Sequence, residues 1–189
     1  KGDNDRAIRD LDEAIRLDPN FAEAYFNRGL AYTSKRDHDR ATRDYSEALR
    51  LDPKNASTYL HRGGAFFFKG DNDRAIKDYD RAIKLNPNYS YAFNNRGWSE
   101  YKNGETAKGI KDIQRARKKK IHNPFVYRNL GVIALETGDT AKACMLLRQA
   151  LDRDFTALYG DEVEQLMTTS CRGSADGKPM VPVQPSQGT

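Results

Sequence analysis

Residues 2–21 read GDNDRAIRDLDEAIRLDPNF, and residues 70–89 read GDNDRAIKDYDRAIKLNPNY. Between them, residues 36–55 read RDHDRATRDYSEALRLDPKN. The spacing is one and two periods of 34 residues, and self-similarity at a fixed period of this size is the mark of a stacked array rather than of one globular core. Working outward gives a half repeat at 1–21, full repeats at 22–55, 56–89, 90–123 and 124–157, and a remainder beyond 157.

Each unit carries two helical patterns. In the first half an aromatic (Tyr25, Tyr59, Phe93, Tyr127) precedes a glycine (Gly29, Gly63, Gly97, Gly131) by four residues, which puts both on one helical face. In the second half a small residue (Ala7, Ala41, Ala75, Ala143) is followed by a larger one (Leu11, Tyr45, Tyr79, Ile113, Leu147) and by another alanine (Ala14, Ala48, Ala82, Ala116, Ala150) at spacings of four and three. Pro19, Pro53 and Pro87 then stop the second helix, because proline lacks an N–H and disfavours helix in the residue before it. The pattern predicts an all-α chain.

These columns resemble the tetratricopeptide repeat over residues 2–157. The resemblance implies a right-handed superhelical solenoid of antiparallel helix pairs with a concave inner face. Gly109, Glu100, Ile121 and Phe155 depart from the family pattern, so the third full repeat is expected to be the least stable joint. Stacked repeats need a cover at their ends, and residues 158–171, with Val163, Leu166 and Met167 at helical spacing behind an Asp161 cap, read as a capping helix. The tail, 172–189, is rich in Pro, Gly and Ser; Pro179, Pro182 and Pro185 recur every third residue, which suits polyproline II.

Composition narrows the function. The chain has 189 residues, 38% hydrophobic and 31% charged, mean hydropathy −0.87, and no apolar run near the roughly 20 residues that span a bilayer. Of its net charge of +5, all is accounted for by the run Arg115, Arg117, Lys118, Lys119 and Lys120. A nucleic-acid binder spreads its excess charge over a face, so nucleic acid is disfavoured. There is no HExxH, paired CxxC, P-loop or GxSxG motif. The repeated acids at helix starts (Asp3, Asp37, Asp71, Asp139) suit the macrodipole, and His38 fills a turn column. Neither catalytic residues, metal nor cofactor are expected. Beginning at Lys1 in mid-unit, the sequence reads as a fragment or processed form, with the first-helix partner of Ala7, Leu11 and Ala14 missing.

Two further column pairs stand out. Arg28, Arg62 and Arg96 sit where the family usually has an apolar residue, and sixteen residues later come Asp44, Asp78 and Asp112; the fourth repeat has Leu130 and Leu146 instead. An ion pair between the two helices of each repeat explains the correlation. Cys144 and Cys171 fall at one edge of an antiparallel stack, where they can meet as a disulfide in an oxidising compartment.

The resemblance places ligands on inward-facing first-helix residues. Carrying the columns over gives a polar ladder of Asn27, His61, Asn95 and Asn129, flanked by Phe26, Leu30, Phe67, Trp98, Tyr101, Tyr91 and Phe125. An amide can donate to and accept from a peptide backbone. The reading is a non-catalytic scaffold that holds an extended peptide in the concave groove. The rivals are an acidic-surface or nucleic-acid binder using 115–120, and a self-assembling spacer that associates through the open N-terminal end or the C-terminal tail. Wording such as NRG resembles bacterial members of the family, leaving periplasm and cytoplasm both open.

Overall fold

The computed structural model describes residues 2–119, 123–153, 155 and 160–171; the proline-spaced tail and Lys120 lie outside them. Two compact units divide the chain, Lys1–Ile121 and His122–Thr189. The first holds α1 (Gly2–Leu17), α2 (Ala22–Ser34), α3 (His38–Leu51), α4 (Ala56–Phe68), α5 (Asn72–Leu85), α6 (Ser90–Lys102) and α7 (Thr106–Arg117). The second holds α8 (Pro124–Glu136), α9 (Thr140–Leu151) and α10 (Glu162–Ser170). No strand occurs among the described residues.

Local chemistry sets where the helices begin and end. Asp37, Asp71 and Asp139 cap α3, α5 and α9 by accepting from the backbone N–H of Arg40, Arg74 and Lys142 at 3.0, 3.0 and 3.1 Å. Glu105 stands at that place before α7 and makes no such bond. Asp161 does not cap α10 as expected from the sequence: its carboxylate instead accepts from the Gln165 side chain. After α1, α3 and α5, the side chains of Asp18, Asp52 and Asn86 accept from the N–H two residues on, across the prolines. The turn inside each repeat needs a left-handed residue, supplied by Gly70, Gly104 and Gly138 but by Arg36 in the first full repeat, at φ 61°.

The glycine column explains how the helices of a pair meet. A Cβ on Gly29 would lie 2.6 Å from the Tyr45 ring, one on Gly63 2.7 Å from Tyr79, and one on Gly131 2.8 Å from Leu147. In the third full repeat both helices present glycine: a Cβ on Gly97 would meet the Gly109 carbonyl oxygen at 2.5 Å, and one on Gly109 the Gly97 oxygen at 2.4 Å. Losing the family's alanine at 109 therefore brings the two backbones into contact instead of leaving a gap.

Arg28 holds Asp44 with two parallel bonds of 2.8 and 2.7 Å, and Arg62 holds Asp78 with two of 2.8 Å; Arg96 donates through Nε to Asp112 at 2.5 Å. The carboxylates are buried, with side-chain exposures of 8, 9 and 4%. Each guanidinium also reaches back to the preceding repeat, to Asp12, Ser46 and Asp80 respectively. In the second unit Leu130 and Leu146 are buried at the corresponding places. On α1, Leu11 is half-buried and Leu17 exposed.

The second unit has a core of Leu147, Ala150, Phe155 and Val163, with Leu166 and Met167 packed against it. A disulfide joins Cys144 to Cys171, with Cα atoms 5.8 Å apart, and Arg128 of α8 pairs with Glu162 of α10. α10 is thus fastened by burial, by a covalent bond and by charge.

Three stability measurements check this packing. Gly97→Ala is expected to lower stability by about 1–3 kcal/mol in chemical denaturation, because its methyl meets backbone. Gly64→Ala, whose Cβ would find only the Tyr79 hydroxyl at 4.0 Å, is expected to raise it by about 0.5–1 kcal/mol. Asp78→Ala should cost about 3 kcal/mol by stranding Arg62, whereas Arg62→Leu combined with Asp78→Leu, the arrangement of the fourth repeat, should cost much less; a double variant as damaged as the single one contradicts the assignment.

Candidate functional site

In the first unit α2 packs against α4 and α4 against α6, so three first helices share one wall. Its floor is made by second-helix tyrosines. Tyr45 is fully buried, its ring centroid 5.9 Å from Phe26 and 6.1 Å from His61, and the Phe26 and His61 rings meet edge to face at 5.3 Å. Thr33 donates its hydroxyl proton to the Gly29 carbonyl at 2.9 Å, so the Tyr45 hydroxyl donates to Thr33 across 3.0 Å. Burial pushes the Tyr45 phenol up to about 12 and raises that of Tyr79 as well, which keeps both as neutral donors at physiological pH.

His61 is oriented by its own helix. The Ser57 carbonyl, 2.8 Å from Nδ1, can only accept, so Nδ1 carries the proton and Nε2 keeps its lone pair in the neutral ring. Burial holds the imidazole pKa below its ordinary value, against the opposing effect of the Ser57 carbonyl. Asn95 is half-buried and already engaged, accepting from Asn94 Nδ2 at 3.1 Å and bonded to Tyr79. Asn27 is half-buried, and its side chain makes no hydrogen bond among the described residues.

α6 contributes a second aromatic pair, Trp98 and Tyr101, with ring centroids 5.4 Å apart. Lys102 lies over both, 4.8 Å from the indole and 5.4 Å from the phenol ring. That lysine is missed by the sequence columns although it sits one turn after Trp98, a spacing that places cation and ring on one face. Leu30 and Phe26 lean on the Ala41–Tyr45–Ala65 core, Phe67 meets Phe68 at 5.7 Å, and Tyr91 is half-buried.

The second unit places its two candidates differently. Asn129 is 4% exposed, and its Oδ1 accepts from Arg128 at 2.9 Å. Phe125 packs edge-on against Phe155 at 5.4 Å and belongs to the core beneath α10. Asn129 is thus buried beside Arg128, and Phe125 is half-buried against the core beneath α10. Among the basic run, Arg115 pairs with Asp112 at 3.0 Å, and Lys119 donates to Asn88 and lies over the Phe93 ring at 5.3 Å. No cluster of three or more His, Cys, Asp or Glu suited to a metal, and no helix long and apolar enough to cross a membrane, occurs among the described residues. His38 stacks on the exposed ring of Phe68 at 5.1 Å.

Sequence comparison finds a family model described as "TPR repeat" matching residues 1–35 and 63–104, and models described as "Tetratricopeptide repeat" matching 22–55 and 94–157. No curated protein matches the chain. Among solved structures, that of MamA is similar with a TM-score of 0.70 at 27% identity, covering 83% of this chain and 92% of that one. TTC0263, a thermophilic TPR protein in Thermus thermophilus, gives 0.74 at 18%, covering 90% and 91%. YrrB, a TPR protein with an unusual peptide-binding site, gives 0.63 at 22%, covering 87% and 85%.

The depressed His61 pKa has a definite sign in stability. The unfolded chain binds a proton near pH 6.5 that the folded chain takes up only at lower pH, so stability is lost as pH falls through that window. Thermal melts between pH 7.5 and 5.5 should show a decline that His61→Asn, the residue of the neighbouring repeats, makes shallower. An unchanged slope in that variant would contradict a buried neutral imidazole.

Proposed function

The chain belongs to the tetratricopeptide repeat family, and from that membership we propose that the α2–α4–α6 wall holds an extended, partly apolar peptide segment. Members of this fold serve as protein-interaction scaffolds, and protein or peptide partners follow from it. The finer reading rests on one observation above all. Half-exposed aromatic rings and an amide with no partner lie together on a wall whose floor, Tyr45 and Tyr79, has its own hydrogen bonds provided for.

Such a surface divides the work of binding. Asn27 offers both a donor and an acceptor to a peptide backbone that leaves water, and His61 Nε2 offers a lone pair. Phe26, Phe67, Trp98 and Tyr101 offer apolar area, with Trp98 and Tyr101 as the anchor under Lys102. An apolar residue of the peptide would displace the lysine from the rings; an acidic one would use it. YrrB, which shares the fold, has a peptide-binding site of its own. The electrostatic alternative draws no support from the basic run, where Arg115 and Lys119 already hold partners within the chain.

Selection of binding peptides from a random library, followed by affinity measurement on variants, tests the reading. Trp98→Ala is expected to weaken binding by about 2 kcal/mol, near thirtyfold. Asn27→Ala should weaken it several-fold, and Lys118→Ala with Lys119→Ala scarcely at all, with a shallow dependence on salt. The reverse pattern, a silent Trp98 with dominant lysines and a steep salt slope, would replace the wall by an electrostatic surface.

A further inference from the structure

The last described helix keeps the register of the repeats. One period of 34 residues carries α2, Ala22–Ser34, onto positions 158–170, so α10 occupies the place of the first helix of a further repeat. The residue that ends such a helix has a set task in the first unit. Lys35 pairs with Asp5, Lys69 with Asp39 at 2.5 Å, and Asn103 donates to Asp73 at 3.0 Å, each reaching the second helix of the repeat before. Cys171 stands in this column, two periods after Asn103, and reaches the preceding second helix through its disulfide to Cys144 of α9. A clasp made elsewhere by charge or by an amide is here a bond that reduction can cut.

What else holds α10 is slight. α2, α4 and α6 each pack between two second helices, whereas α10 has one such neighbour, α9, among the described residues. Of its nine residues only Val163 is buried, with Leu166 and Met167 half-buried. Its other side carries exposed Glu164 and Gln165 in the columns that hold arginine and glycine in the first unit, so it is not shaped for a second helix of its own. The ion pair of Glu162 with Arg128 leaves the carboxylate half in water, where such pairs contribute little. A helix this short does not persist in water without packing. The disulfide, joining residues 27 apart in sequence, removes much of the freedom that the open state would gain.

We infer that the disulfide between Cys144 and Cys171 is a redox-operated latch on α10, closed when oxidised and opened by a dithiol reductant. Cys171 ends the helix and is half-exposed, while Cys144 is buried, so a thiolate of the reductant attacks Cys171 Sγ. The S–S bond breaks and Cys144 leaves as a thiolate that takes up a proton. The second thiol of the reductant then resolves the mixed disulfide and frees Cys171. Two electrons and two protons pass to the protein, and the reductant is left as its own disulfide. With the latch open, α10 leaves its seat and uncovers Leu147, Phe155 and Phe125. Leu147 holds the column of Tyr45 and Tyr79, whose rings end beneath the next first helix, so the uncovered face is the array's own seat for a helix. The latch lies in the second unit and does not depend on the peptide wall proposed above.

The test follows amide hydrogen exchange through the whole chain when oxidised, when reduced without denaturant by dithiothreitol, and when reoxidised, with free thiols counted at each step. Reduction is expected to speed exchange in α10 about a hundredfold, while α8 and α9 change by less than about tenfold. The fluorescence of an added hydrophobic dye should rise with reduction, and both effects should reverse on reoxidation. Cys144→Ser combined with Cys171→Ser should exchange like the reduced chain and ignore dithiothreitol. Free thiols in the oxidised chain, a disulfide that resists excess dithiothreitol, or unaltered exchange in α10 overturns the assignment. So does equal acceleration throughout α8 and α9, which would make the bond a staple of the whole unit and not a latch on one helix.

Discussion

A glycine backbone lying flat on whatever faces it, a large side chain in three repeats and a second glycine in the other, sets the distance between the helices of each full repeat, and the rest of the structure follows from that distance. Tyr45 and Tyr79 reach Gly29 and Gly63 with their ring edges, and Leu147 reaches Gly131. With the helices this near, the alanines beside those residues become wholly buried, and an arginine one residue before the glycine is brought against an aspartate one residue before the tyrosine. The same rings extend past the glycine to end beneath the next first helix, where they support His61 and Asn95. Packing and candidate site are therefore one construction: the residue that spaces a repeat also forms the floor under its neighbour's polar side chain.

How much of this could be read in advance depended on whether the signal lay within one repeat or between two. The period, the helix pairs and the Arg–Asp correspondence were legible because each recurs in register, with Leu130 and Leu146 as the internal control. The third arm of each arginine, to Asp12, Ser46 or Asp80, was not, since it joins successive repeats and its column mixes two acids with a serine. Arg36 hid the turn glycine column at its first full occurrence. The burial of Asn129 and the packing of Phe125 on Phe155 were not legible, because columns are blind to position in an array and these two places lie next to the core under α10. Glu100 was visible as a departure, but a sequence gives no sign that one of its oxygens would be buried alone.

The candidate wall and the Glu100–Lys108 pair illustrate two ways in which a repeat protein acquires individuality. On the wall, the repeated frame is kept and the projecting residues vary, from Asn27 to His61 to Asn95, so chemistry changes while geometry does not. At position 100 a frame residue itself has changed, and Lys108 in place of arginine accompanies Glu100 in place of a ring. The cation over an aromatic seen for Arg40 on Tyr32 and Arg74 on Phe66 has become an ion pair. Substitution within a frame column is the costlier route, since it alters packing as well as surface.

The third arms of the arginines are only half of what couples successive repeats. Arg28 and Arg96 each grip an aspartate of the repeat before, while Arg62 meets only the hydroxyl of Ser46, at 3.2 Å. The charge missing there is supplied at the other end of the same helix, where Lys69 pairs with Asp39 of α3 at 2.5 Å, whereas the matching contact between α5 and α6 is the neutral amide of Asn103 on Asp73. In a linear lattice, where stability is a sum of site and neighbour energies, every boundary of this unit thus keeps an ion pair, and no single joint is singled out for opening.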